Sequence, residues 1–358
     1  MRFRAIECAL PSHVLTNDAV IKIALDSARA DLIPADLQRL ETHIREYFKI
    51  AHTQIRHQRA PGETGLSLGV KAGRAALEKA EIAPTEIDLL IYVGVARGFL
   101  EPATANVFQD GLGLRNATCF DILDACASWM RALHVAHTFI KQGVYRNIMI
   151  LNSECNTLEY ANIRFTCVED IKFRFPALTI GEAATATIVS ASDTDSAHNG
   201  DGAHNDDNPF YFTFRTWGAE HVLCKIPLPQ YRQYSPEEHV KDFTPLEFFS
   251  LGERLLRSAF TKLIGHYRSD QILQDFKPDI SFSHAASDGM TLKIAEHLKI
   301  GGVVYLTHSR YGNTVSASIP LGMALAIREG KLLPDMNVLL GCGSAGTSTG
   351  WSCFRYVV

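Results

Sequence analysis

Apolar and polar positions alternate between two periods along this chain. From Gly65 to Ala80 the apolar residues recur at the spacing of one helix face. Pro84 then leads into Ile87-Asp88-Leu89-Leu90-Ile91-Tyr92-Val93, whose near-continuous apolar character predicts a buried strand. The succession returns later: Leu251 to Ile264 predicts a helix, and after a longer connection Pro278-Asp279-Ile280-Ser281-Phe282-Ser283-His284 reads as a strand ending on a polar residue. A second pair of segments behaves alike. Phe120 to Ala125 is strand-like and leads into a helix from about Ala127 to Lys141, then a strand from Asn147 to Leu151. Its counterpart is a helix from Ser316 to Arg328 followed by a strand from Asn337 to Leu340. The order of the elements repeats as well as their type, which predicts a duplicated unit rather than two unrelated α/β domains. Strands alternating with helices imply mostly parallel sheets covered on both faces.

Length agrees with duplication, since 358 residues are too many for one ordinary core. One stretch breaks the globular texture. From Ser192-Asp193-Thr194-Asp195 to Asn208 the chain is rich in Asp, Asn, Gly and His and cannot bury apolar area, so a solvated linker is expected there. It divides an N-terminal half, 1–195, from a C-terminal half, 208–358. A net charge of −4 argues against nucleic-acid binding, although a local basic patch for an acidic carrier protein stays compatible with it. No apolar run approaches the roughly 18 residues that span a membrane, and the opening MRFRAIECALPSHV lacks the apolar core of a signal peptide. The eight cysteines form no CxxC pair and lie scattered in apolar segments. That usage suits the cytoplasm, with cysteine as a small buried hydrophobe and no metal site.

Four features could carry chemistry. Cys126 lies in Asp124-Ala125-Cys126-Ala127-Ser128, where a strand gives way to a helix. A thiol at a helix N-terminus feels the positive end of the dipole, which lowers its pKa. A buried structural cysteine fits the same position. His284 ends a strand and precedes Ala285-Ala286-Ser287-Asp288-Gly289, with a helix from about Met290. Residues at the carboxyl ends of strands in α/β sheets are placed for function, and a histidine satisfying a loop backbone is the plain alternative. Asn313 occupies a turn, Tyr311-Gly312-Asn313-Thr314, where asparagine is also an ordinary turn or cap residue. The loop Gly341-Cys342-Gly343-Ser344-Ala345-Gly346-Thr347-Ser348-Thr349-Gly350 is poor in bulky side chains and could offer backbone N–H groups to an oxyanion.

Taken in order, these segments resemble the ketoacyl synthase III group of the thiolase superfamily. Ile122-Leu123-Asp124-Ala125-Cys126-Ala127-Ser128-Trp129 looks like the family's nucleophile segment. Ser283-His284-Ala285-Ala286-Ser287 is similar to its His-Gln-Ala-Asn segment. Tyr311-Gly312-Asn313-Thr314-Val315-Ser316-Ala317-Ser318-Ile319-Pro320-Leu321 resembles its Asn segment, and Gly181-Glu182-Ala183-Ala184-Thr185-Ala186 its Gly-Asp-Gly-Ala strand opening. The similarity runs from about Ile55 to the C-terminus. It implies an α/β thiolase fold, two duplicated halves in α-β-α-β-α layers. It also implies an acyltransferase that makes carbon–carbon bonds by Claisen condensation. Cys126 would take the acyl group from a thioester, and His284 and Asn313 would hydrogen-bond the oxygen of the second thioester. The N–H groups of Cys126 and Ala345 would form the oxyanion hole. The resemblance further implies acyl-CoA or acyl-carrier-protein substrates, a homodimer, and no cofactor beyond the substrate's carrier. The apolar segment around Cys119 and Phe120 is expected to be buried.

Three departures from the family pattern stand out. His-Ala-Ala-Ser replaces His-Gln-Ala-Asn. Phe48 and His52 align where Trp and Arg commonly meet the adenine of coenzyme A. Glu101, in Phe99-Leu100-Glu101-Pro102, stands where Phe is common and enters the partner's acyl pocket. A similar partner-subunit Glu is the base in the olefin-biosynthesis thiolases. A carboxylate in an apolar pocket suits a general base, so Glu101 is a candidate base acting in trans. A cap on a helix beginning after Pro102 is its alternative role. The departures point toward secondary metabolite or specialised lipid biosynthesis. Acyl transfer to an O or N nucleophile and a non-catalytic partner subunit are the competing functions. Chain-length selection would depend on loops expected at Phe165 to Pro176 and Pro209 to Tyr234.

Overall fold

The computed structural model describes residues 1–95, 97–155, 157–192, 210–235 and 244–358. Beyond Ser192, the expected linker lies outside these residues. The strands are β1 (Arg2–Ala9), β2 (His13–Thr16), β3 (Ile55–Gln58), β4 (Leu89–Val93), β5 (Thr118–Ile122), β6 (Asn147–Glu154), β7 (Ala183–Ser190), β8 (Tyr211–Thr216), β9 (Cys224–Lys225), β10 (Phe249–Ser250), β11 (Ile280–Ser283), β12 (Asn337–Ser344) and β13 (Ser348–Arg355). The helices are α1 (Asn17–Ala28), α2 (Pro34–Ala51), α3 (Gly65–Ala80), α4 (Ala105–Leu112), α5 (Ser128–Lys141), α6 (Ile171–Thr179), α7 (Gly252–Arg268), α8 (Gln271–Asp275), α9 (Asp288–Leu298), α10 (His308–Tyr311) and α11 (Ser318–Arg328). No helix among the described residues is long and apolar enough to cross a membrane.

Two larger sheets carry the architecture, in the orders β1-β7-β6-β4-β5 and β11-β12-β13-β8. Helix α3 packs on the outer face of the first sheet, α5 and α11 lie between the sheets, and α7 packs on the outer face of the second. The result is the expected α-β-α-β-α layering. Leu133, Ile150, Phe282, Leu321, Met323 and Leu340 belong to one apolar cluster that spans both halves, and each is essentially inaccessible. The α3 boundaries follow from local chemistry. Thr64 Oγ1 accepts the Ser67 N–H at 3.0 Å and Ser67 Oγ accepts the Thr64 N–H at 3.0 Å, a reciprocal cap.

Duplication extends to individual hydrogen bonds. Asp88 N–H donates to the Asn147 carbonyl at 2.9 Å, and Asp279 N–H to the Asn337 carbonyl at 2.8 Å. Asp88 Oδ2 accepts from Asn147 N–H at 2.9 Å, and Asp279 Oδ2 from Asn337 N–H at 2.8 Å. Each half thus uses one aspartate to lock its first parallel strand to the next.

The structure corrects three expectations. The sheets are mixed, because β7 pairs antiparallel with both β1 and β6, and β13 pairs antiparallel with β12 and β8. The short turn from Ser344 to Ser348 allows nothing but a hairpin. Phe165 to Pro176 is no open loop: Phe165 is fully buried and α6 begins at Ile171. Its mixed apolar and charged residues show no single helical stripe, which hid it from the periodicity. Within the second expected loop, beyond Pro209 (outside the described residues), lie β8 and β9. In the single chain β5 is an edge strand, with Cys119 and Phe120 half-buried on it.

Leu321 to Ala should lower stability by about 2–5 kcal/mol, because its site is fully enclosed between the sheets. Chemical denaturation should show a lower midpoint with an unchanged slope.

Candidate active site

Two turns, one from each half, meet at the centre of the molecule. In the first, residues 125–127 form a single 3-10 turn before α5. In the second, residues 315–317 do the same before α11. The turns pack against each other and are close copies. Ala127 N–H donates to the Asp124 carbonyl at 3.0 Å and Ala317 N–H to the Thr314 carbonyl at 3.0 Å. Ser128 Oγ donates to the Ala125 carbonyl at 2.7 Å and Ser318 Oγ to the Val315 carbonyl at 2.8 Å. Ala125 and Val315 both adopt left-handed backbone, with φ of 45° and 51°. That conformation is costly for a residue with a Cβ, and more so for β-branched valine. Cys126 follows the strained residue in the first turn, and Ser316 holds the matching place in the second.

Val315 fixes two of the expected site residues. Its N–H donates to Asn313 Oδ1 at 3.0 Å. With Oδ1 committed as acceptor, the Asn313 amide presents Nδ2 as a donor, and Nδ2 makes no hydrogen bond to a described residue. The Val315 carbonyl lies 3.1 Å from His284 Nδ1. A carbonyl can only accept, so Nδ1 carries the proton and Nε2 is left with a lone pair. Burial pushes the His284 imidazole down to about 4, against a smaller upward pull from the Val315 carbonyl, so it is neutral at pH 7. A ready donor and a ready acceptor therefore hang from one residue.

The backbone of Asn313 is held just as closely. Asn313 N–H donates to the Thr179 carbonyl at 2.8 Å, and Gly181 N–H donates to the Asn313 carbonyl at 3.1 Å. A Cβ on Gly181 would sit 1.9 Å from the Tyr311 carbonyl oxygen, which explains the glycine that opens this strand.

Cys126 behaves differently from its sequence expectation. It is half-buried, as are His284, Asn313 and Ala345 around it. Burial, with contributions from Cys342, Cys224 and Glu154, raises its thiol well above the ordinary range, and a hydrogen bond from the Ala345 backbone only partly offsets this. Cys126 sits in the 3-10 turn before α5 rather than in the helix itself, and desolvation outweighs any help from the helix dipole. At rest Cys126 is therefore a thiol. Ser344 fixes its turn, accepting the Ala127 N–H at 3.3 Å and donating to the Asp124 carbonyl at 3.0 Å. Cys126 and His284 make no direct hydrogen bond.

The remaining expected residues are more scattered. Phe48 is 2% exposed, with the Phe175 ring centroid at 5.5 Å and the Arg56 guanidinium 4.8 Å over its own ring. It cannot offer a free face to a base, which corrects the expected adenine contact. His52 is exposed at the left-handed end of α2. Glu101 is also exposed and touches none of the other site residues; it makes no hydrogen bond or ion pair to a described residue. It does not cap α4 either, since Asp121 takes the Thr104 and Ala105 N–H groups at 2.8 and 2.9 Å. Glu101 instead lies in a loop closed by the Gly98 N–H to Thr104 Oγ1 bond at 3.1 Å, beside exposed Phe99 and Leu100.

Three participants went unseen in the sequence: Val315, Ser316 and Glu154. Glu154 ends β6 at 1% exposure, and its Oε1 accepts from Val95 N–H at 3.0 Å, from Ser316 N–H at 3.3 Å and from the Ser316 hydroxyl. The polar run Asn152-Ser153-Glu154 closing an apolar strand was the available signal.

Comparison with known proteins follows this geometry. The family profile for 3-oxoacyl-[acyl-carrier-protein] synthase III matches residues 120–201, and the profile for its C-terminal part matches residues 277–356. A beta-ketoacyl-[acyl-carrier-protein] synthase III from Aliarcobacter butzleri is 27% identical over 359 residues, covering 99% of this chain and 97% of the relative. One from Helicobacter pylori strain J99 is 28% identical over 301 residues, covering 80% and 82%. Among solved structures, the 3-oxoacyl-[acyl-carrier-protein] synthase III of Aquifex aeolicus superposes with a TM-score of 0.77 at 22% identity, covering 99% of both chains. Xanthomonas campestris OleA with bound lauric acid and lauroyl-CoA gives a TM-score of 0.82 at 17% identity, covering 99% and 98%. At these identities the structural likeness speaks for the fold.

A buried protonated thiol predicts a distinct alkylation profile. The rate of Cys126 carboxymethylation by iodoacetamide, followed by mass spectrometry, should keep climbing beyond pH 9. The thiolate fraction of a raised group grows only as pH passes its pKa. A plateau reached below pH 8 would contradict the thiol state described here.

Proposed function

This chain is a ketoacyl synthase III-like condensing enzyme of the thiolase fold, and we propose that it joins two acyl thioesters through an acyl group carried on Cys126. The observation that supports condensation most directly is the pair hung from Val315. Asn313 Nδ2 is a fixed, unused donor, as stabilising an enolate oxygen requires. Acyl transfer to an alcohol or amine would give that donor no comparable task.

In the first step the Cys126 sulfur attacks the acyl carbonyl of an acyl-CoA or acyl-carrier-protein thioester. The thiol proton passes to His284 Nε2, the ring position with a free lone pair. The Ala345 and Cys126 N–H groups take the oxyanion, the C–S bond to the carrier breaks, and the carrier thiolate leaves with the proton from His284. In the second step a base removes an α proton from the second thioester. Asn313 stabilises the enolate, whose carbon attacks the acyl group as the C–S bond to Cys126 breaks. The proton held by the base returns to the Cys126 thiolate. No cofactor enters this scheme.

Glu101 of the partner subunit is the proposed base, in a homodimer formed along β5. The edge strand leaves backbone groups unpaired, and the exposed Phe99 and Leu100 flank the carboxylate. A second copy seated on that edge would bury the apolar pair and carry Glu101 toward its neighbour's cleft. Deprotonation of an unactivated thioester would suit specialised lipid or secondary metabolism better than malonyl-dependent chain initiation. Because OleA of Xanthomonas campestris, similar in fold, was solved with bound lauroyl-CoA, a long-chain acyl-CoA is the first substrate to test.

With lauroyl-CoA, wild-type protein should show a lauroyl adduct on Cys126 by mass spectrometry and then release a condensed product. Asn313→Ala should keep the adduct and lose condensation by about 100-fold or more, as expected for removing an oxyanion donor. Glu101→Gln should likewise acylate normally and fail to condense without a malonyl unit. Wild-type condensation by both Glu101→Gln and Glu101→Ala would eliminate the base role. Absence of any adduct across chain lengths would eliminate the acyl-enzyme itself.

A further inference from the structure

Glu154 has no task in the reaction as written, yet it is a buried carboxylate beside the nucleophile. Burying a carboxylate is costly, and structures retain one where it is held by specific donors. Here its donors include the Val95 N–H and both polar hydrogens of Ser316. The Ser316 hydroxyl is oriented, because its oxygen accepts from Asn152 Nδ2 at 2.7 Å and so its proton points at Glu154.

The Ser316 N–H and the Val315 carbonyl are the two ends of one peptide group. Glu154 Oε1 holds the N–H end, and His284 Nδ1 donates to the carbonyl end at 3.1 Å. A negative charge at the N–H end polarises the peptide and enriches the carbonyl oxygen in electron density. That strengthens the bond from Nδ1 and favours the protonated ring. Hydrogen-bonded carboxylates commonly orient a working histidine directly; here a rigid amide lies between the two.

We propose that Glu154 is the acidic positioning partner of His284, acting through the peptide group between Val315 and Ser316. Its service falls in the acylation step, when the Cys126 thiol gives its proton to His284 Nε2 and the ring becomes cationic until the leaving thiolate takes that proton away. Glu154 also holds Val95, at the start of the segment that leads to Glu101, so one carboxylate braces both sides of the cleft. The titratable groups on which its charge acts include Tyr92 on β4, Cys126 in the opposing turn and Cys155 next in the chain, and His284 lies across the peptide from it.

The proposed service of Glu154 rests on the part given to His284 in the proposed function, and the test separates the two. The readout is single-turnover acylation of Cys126 by lauroyl-CoA, in wild type, His284→Ala, Glu154→Gln and the double variant, with thermal melts to verify folding. Glu154→Gln should slow acylation by about 10- to 100-fold with little change in half-saturating lauroyl-CoA, and Glu154→Asp should recover part of the loss. In the His284→Ala background the same substitution should change the rate by less than about twofold, because the two act as one unit. Iodoacetamide alkylation of Glu154→Gln should also rise at lower pH than wild type, since a negative charge behind the thiol is gone. If Glu154→Gln does not fold, Ser316→Ala removes only the hydroxyl link and should give a several-fold loss that likewise vanishes without His284. Equal losses in both backgrounds, or a wild-type rate in folded Glu154→Gln, would overturn the role of Glu154 alone. A wild-type rate in His284→Ala would overturn the proposed part of His284 and that of Glu154 with it.

Discussion

The left-handed backbone at Val315 is the constraint around which the site is arranged. A valine does not choose φ of 51° on its own, and the surrounding bonds impose it. Asn313 takes its N–H, His284 and Ser318 share its carbonyl, and Glu154 holds the next N–H. The consequence is rotational. An amide that could flip presents only its donor, and an imidazole that could change tautomer presents only its lone pair. Without that residue the same side chains would line the cleft with no defined polarity.

Duplication explains how such a turn arises next to Cys126. The turns at 125–127 and 315–317 repeat the same bonds and the same positive φ. What differs is the residue that braces each one. Ser344, at the end of β12, holds the first turn through a neutral hydroxyl, whereas Glu154, at the end of β6, holds the second through a carboxylate. One copy of the turn then carries a cysteine open to the cleft, and the other carries a serine 2% exposed that serves as part of the support. The halves share a fold, and they carry different residues into the cleft.

Close backbone contact stabilises the join between these parts. Gly181 lets the start of β7 run against Tyr311, and the resulting bonds set the height of Asn313. Around this join lies an apolar cluster shared by both sheets, so the site rests on the most deeply buried part of the molecule. The same burial keeps Cys126 a thiol and His284 neutral at rest, so the proposed acylation has to move a proton between them during the reaction.

Much of this was legible in the residues themselves. Periodicity located α3 at its full length, because its apolar face is continuous and Thr64 marks its start. The repeated order of elements revealed the duplication, and the ordered segments around Cys126, His284 and Asn313 pointed to the chemistry. Local pattern carries such information because it depends on near neighbours in the chain. Other properties depended on neighbours brought from far away. Phe48 lost its expected surface role to packing by Phe175 and Arg56, and Cys126 lost the expected low pKa to desolvation by burial. Glu154 looked like the polar end of a strand until folding set it against Ser316. The sequence by itself determined which residues could react and on which scaffold. Only the tertiary structure decided their protonation and aim, because burial and hydrogen-bond direction are set by groups distant in the chain.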